Sequence, residues 1–111
     1  MMKIAMSPAA GALLRVLIGR ARADRNRILL TDAHSTDWQS LTFNGERHRI
    51  ALRVSGPDSL EIADRMCAGL EDAEFSIPGL LIADIGLAGT PRLDSDGAAE
   101  LVIEALTIAD D

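Results

Sequence analysis

The sequence predicts an α+β fold: one domain over residues 1–111, with a mainly antiparallel sheet and two helices packed on one face. Three observations carry this. Residues Arg47–Val54 alternate basic and apolar side chains, as a strand with one buried face does. Two segments, near residues 7–20 and 59–72, repeat apolar residues at helical spacing. Pro78-Gly79 marks a turn before two further strands, and Asp94–Gly97 a hairpin turn between them, so that they should pair antiparallel. The resulting order is α-β-β-α-β-β. Antiparallel strands with helices on one face form an α+β layer pair.

Each element has a local cause. Ser7 supplies a capping hydroxyl, and Pro8 follows where its missing N–H costs nothing. Leu13, Leu14, Leu17 and Ile18, with Ala10 a turn earlier, form the first apolar stripe. The helix ends at Gly19 or runs on to about Arg22. Ile28–Thr31 reads as a short strand, Asp32–Thr42 as a polar loop, and Asn44-Gly45 as a turn of positive φ. In the next strand His48, Ile50, Leu52 and Val54 face one way, and Arg47, Arg49, Ala51 and Arg53 the other. Gly56-Pro57 breaks it. Asp58 or Ser59 caps the second helix, with Glu61 and Asp64 at its positive end. Leu60, Ala63, Met66, Cys67 and Leu70 form its inward stripe. Leu80–Leu87 and Ala98–Ile108 are the last two strands.

Composition narrows the function classes. A chain of 111 residues buries roughly two-thirds of its unfolded surface, enough for a core without disulfides or metal. With two Phe and one Trp, that core must be aliphatic. The net charge of −6 opposes general phosphate binding. Basic residues nevertheless gather at Arg15–Arg27 and at Arg47, Arg49 and Arg53, while the C-terminal half is acidic. Such halves can meet head to tail across copies, or they can be solvated faces. The single Cys, Cys67, reads as core filler. No apolar run reaches the ~20 residues of a membrane span. Met1–Met6 lacks the plan of a signal peptide, so a reducing cytoplasm is the expected compartment.

Asp32, His34 and Asp37 imitate a metal set, but two are Asp in a turn-rich stretch, where Asp bonds its own backbone. Ser35 and Ser40 lie near His34 without a nucleophile elbow. Asp94-x-Asp96-Gly97 lacks the further oxygen ligands of a calcium loop. The expectation is no enzyme, no metal and no cofactor. Trp38 reads first as a packing anchor and second as an interface anchor, since Trp is enriched in hot spots. Arg47, Arg49 and Arg53 can pair across strands with Glu100 and Glu104. Exposed pairs of this kind contribute about 0–1 kcal/mol; buried by another subunit, they confer specificity.

The order and wording of Thr36-Asp37-Trp38, then Gly45-Glu46-Arg47-His48-Arg49-Ile50-Ala51-Leu52-Arg53-Val54, then Asp94-Ser95-Asp96-Gly97 resemble the tail-completion, or tail-terminator, proteins of long-tailed phages and gene transfer agents. The resemblance covers nearly the whole chain. It implies a structural protein that caps a tail tube as a ring, usually of six copies, ends its polymerisation and provides the head–tail joining surface. The implied partners are the chain itself, the major tail tube protein and the head–tail connector. DNA would pass the lumen without specific binding, and no membrane is involved. The implied location is the host cytoplasm during assembly and then the particle tail. The same resemblance places the Trp38 loop near subunit contacts, so Trp38, Arg47, Arg49 and Arg53 are the candidate interface residues. Ser55-Gly56-Pro57 and the terminal Ala109-Asp110-Asp111 depart from the family pattern. The alternative is a small cellular α+β interaction module of unrelated role.

Overall fold

The first helix, α1 (Pro8–Ala21), begins where Ser7 and Pro8 dictate, with the Ser7 hydroxyl accepting from the Ala10 N–H at 3.2 Å. It passes through Gly19 and stops at Arg22, which adopts the left-handed conformation at φ 52°. The computed structural model describes residues 6–110. The signal-peptide reading of Met1–Met6 and the final Asp111 of the tail therefore fall wholly or largely outside the described residues.

Five strands follow: β1 (Ile28–Gln39), β2 (Asn44–Val54), β3 (Leu80–Leu87), β4 (Arg92–Leu93) and β5 (Ala99–Ala109). They form one antiparallel sheet in the order β1-β2-β5-β3, with β4 also pairing β5. Helix α2 (Ser59–Cys67) lies between β2 and β3 in sequence. The fold is thus α+β with both helices on one sheet face. The core joins Leu13 and Leu17 of α1, Ile62, Ala63 and Met66 of α2, Ile50, Leu52 and Val54 of β2, and Leu101 and Ile103 of β5. The alternation read in β2 holds, with His48, Ile50, Leu52 and Val54 all buried.

Several local expectations need correction. Asp32–Gln39 is strand, not loop: β1 pairs β2 from Ile28↔Val54 to Gln39↔Asn44, with one bulge at Thr31. Its inward-facing Ala33, Ser35 and Asp37 are not an apolar stripe, so only pairing with β2 reveals it. Asn44-Gly45 opens β2, and the turn lies at Ser40–Phe43, where the Ser40 N–H donates to the Phe43 carbonyl at 2.9 Å. Gly45 does not have positive φ. Its reason is close approach: a Cβ there would overlap the Thr107 carbonyl oxygen of β5.

The second helix is shorter than its periodicity suggests. It ends at Cys67, because Ala68 is extended and Gly69 turns left-handed at φ 63°, and a separate 3-10 turn spans Leu70–Asp72. Its inward face is Ser59, Ile62, Ala63 and Met66, which leaves Leu60 exposed. Neither Asp58 nor Ser59 caps it by side chain. Asp58 sits left-handed at φ 62°, and the Ser59 hydroxyl donates instead to the Gly97 carbonyl at 2.6 Å. That bond holds the Asp94–Gly97 turn, which does not join β3 to β5 directly but joins β5 to the short β4, a strand too brief to show a pattern; β3 still pairs β5 antiparallel.

Candidate functional site

The helices cover one sheet face and leave the other open. Strand alternation assigns Arg47, Arg49, Ala51 and Arg53 to the open face. Register then brings the other residues of that face beside them: Trp38 across from Gly45, Thr36 from Arg47, His34 from Arg49, and Asp32 from Ala51. On the opposite flank β5 contributes Leu106 beside Arg47, Glu104 beside Arg49, and Glu100 beside Arg53.

The three arginines differ in their commitments. Arg53 is held inside the chain. Its guanidinium donates to Asp94 at 2.5 Å and to Asp96, with Glu100 at 3.9 Å. The hydrogen bond to Asp94 raises the Arg53 pKa. The Asp94 carboxyl is held below its usual value by its hydrogen bond to Glu100 and then by Arg53. Arg49 reaches Glu104 at 3.1 Å, both more than half exposed. Arg47 has no acidic partner within 4 Å among the described residues. The pairing of arginines with Glu100 and Glu104 read from the strands therefore holds for Arg49 and Arg53. The Asp94–Asp96 turn as the main partner of Arg53 was not legible, because nothing in a turn signal specifies which distant strand end it meets.

Trp38 is not a core anchor. Alternation from Asp32 puts it on the Arg47 side of β1, half-buried and outside the core cluster. The hairpin tip beyond it carries Leu41, fully exposed, and Phe43, about half exposed.

The residues that imitate a metal set do not converge. Asp32 and His34 share the open face, while Asp37 lies on the other. No group of three or more His, Cys, Asp or Glu suited to a metal gathers among the described residues. Ser35 also faces away from His34. It meets His48, whose Nδ1 lies 2.7 Å from the Ser35 hydroxyl and whose Nε2 lies 2.8 Å from the Thr107 hydroxyl.

This Ser35–His48–Thr107 chain ties β1, β2 and β5 together. It has the hydrogen-bonded order of a nucleophile and base, but Thr107 stands where an orienting carboxylate would. The imidazole is only 3 % exposed. Burial lowers its pKa, against an opposing pull from Glu46. The arrangement suits a neutral, structural histidine better than a base that must reach substrate. Cys67 is equally unsuited to attack: burial pushes its thiol up to about 11, so it stays protonated at neutral pH.

Comparison with known proteins gives no family. No protein-family model matches the chain, and no curated protein matches it.

Proposed function

We propose that this chain is a structural, non-enzymatic component of a phage-type or gene-transfer-agent tail. In this reading it caps the tail tube as a ring of six copies, ends tube polymerisation and offers a surface to the head–tail connector. The observation that carries the reading is the element order. Helix, two strands, helix and closing strands around an Asp-x-Asp-Gly turn follow one another as the resemblance expects. The open sheet face supports it further, since Trp38, Arg47 and Arg49 lie there without a covering layer, as a subunit contact needs. An acidic protein also suits a lumen that passes DNA, because like charge discourages sticking.

The test is electron microscopy of tails assembled without this protein. The reading expects tails of uncontrolled length that fail to join heads. Tails of normal length that join heads normally would overturn it.

A further inference from the structure

The sheet has two edges, β1 on one side and β3 with the short β4 on the other, and they are defended unequally. The β3 edge is kinked by a bulge at Ala83, and the 3-10 turn Leu70–Asp72 packs against it, with the Glu71 carboxylate over Gly86. Among the described residues, strand β1 pairs only with β2, and its single bulge lies near one end, at Thr31. Between Asp32 and Gln39 it has no Pro and no Lys. Pro, Lys and bulges are among the devices that keep an edge from pairing with another chain; of charged residues this stretch carries Asp32 and the inward-facing Asp37.

The hairpin fixes which groups on that edge are free. In an antiparallel ladder, hydrogen-bonded and non-bonded pairs alternate. The Ser40 N–H donates to Phe43, so Trp38, Thr36 and His34 also aim their N–H and C=O groups at β2. Ala33, Ser35, Asp37 and Gln39 aim theirs outward. An independent bond agrees: the Ala33 N–H is taken by the Asp32 carboxylate at 3.0 Å, which is open to it only if that N–H is turned from β2. Ser35, Asp37 and Gln39 keep theirs free of any other backbone bond among the described residues.

We propose that β1 is a strand-addition surface whose partner is β1 of a second copy, paired antiparallel about a two-fold axis at Thr36. In that register Ser35 of each copy meets Asp37 of the other, and the two pairs exchange four backbone hydrogen bonds. Thr36 faces Thr36, and His34 of each copy faces Trp38 of the other on the open face. A centre at Asp37 would set two carboxylates against each other, which costs stability. Centres at His34 or Ser35 need the Ala33 N–H that Asp32 already holds. The contact is isologous, so it joins two copies and stops. It does not close a ring and does not depend on the tail reading.

Sedimentation velocity over a concentration series tests this. The parent chain is expected to pass from monomer to dimer as concentration rises. Asp37→Pro removes an outward N–H without touching the β2 ladder, so it is expected to stay monomeric with an unchanged circular dichroism spectrum. A second variant keeps the test independent of that substitution. Thr36→Cys in a Cys67→Ala background is expected to form a disulfide-linked dimer on mild oxidation, because facing residues of a non-bonded pair come close across the strands. A parent chain that remains monomeric throughout its soluble range would overturn the proposal. So would dimers that persist undiminished in a folded Asp37→Pro variant, or a Thr36→Cys chain that gives no cross-link.

Discussion

Arg20 and Arg65 each cap the other's helix. The Arg20 Nε donates to the Met66 carbonyl at 2.8 Å, near the end of α2, and the Arg65 Nε donates to the Ala21 carbonyl at 2.7 Å, at the end of α1. The last carbonyls of a helix have no partner within it, and positive charge there also suits the helix dipole. Arg20 lies over the Phe75 ring as well, 5.9 Å from its centroid. The two helix ends are therefore secured by exchange.

Removing either arginine should loosen both helix ends. Arg20→Met and Arg65→Met keep much of the aliphatic stem and delete the donors. Each is expected to cost about 1.5–3 kcal/mol in urea unfolding, the range for hydrogen bonds made by charged groups. A loss below a few tenths for both would show that water replaces the arginines freely.

Gly45 discriminates a turn from a close approach. Were its role to supply positive φ, Gly45→Asn would be tolerated. Because a Cβ would overlap the Thr107 carbonyl, both Gly45→Ala and Gly45→Asn should force β2 from β5. The expected cost is about 1–3 kcal/mol, the range for overpacking. Thermal unfolding of the two variants measures it, and hydrogen exchange should show opening at the Gly45↔Ile108 end of the pairing.

His48 should make stability depend on mildly acid pH. Its folded pKa lies below the ordinary 6.5, so the unfolded chain binds the proton more readily. Stability is then full above 6.5, falls as pH drops toward the lowered folded value, and levels off beneath it. His48→Gln should remove this slope from a series of urea titrations. A further acid loss remains in that variant, since the lowered Asp94 carboxyl contributes stability that disappears as pH falls through its folded value.

Trp38 and Arg47 should be silent in folding and decisive in assembly. Arg47→Glu disturbs no ion pair among the described residues, so its stability change should stay within about 0.5 kcal/mol. Trp38→Ala lies outside the core and should lower the melting temperature little. In tail assembly both should reduce capping, and the Arg47 contribution should weaken with salt. A large loss of melting temperature in Trp38→Ala would return that residue to a packing role.

Much of the fold was legible because burial writes itself into periodicity. Ile50, Leu52 and Val54 alternate with arginines, and Leu13 and Leu17 repeat by helical turn, since each side of these elements meets a different environment. Strand β1 beyond Thr31 has polar residues on both faces, so no alternation marks it. Its order comes from the partner strand, which local sequence does not describe. Leu60 misled for a related reason: it is apolar and near the stripe, but Ile62 and Ser59 set the inward phase. Within the candidate site, the shared face of Arg47, Arg49 and Arg53 could be read directly. The link of Ser35 to His48 could not, because it requires the register between β1 and β2.

The hydroxyls on either side of His48 give its imidazole an unusual freedom. Ser35 and Thr107 can each donate or accept by rotating one O–H bond. The ring is thus satisfied as either neutral tautomer, and as the cation too, when both nitrogens donate to the hydroxyl oxygens. Proton uptake costs desolvation energy but asks no heavy atom to move. Acid should therefore shift the equilibrium between folded and unfolded chains while the folded form keeps its shape, with β1 still fastened to the strands beside it.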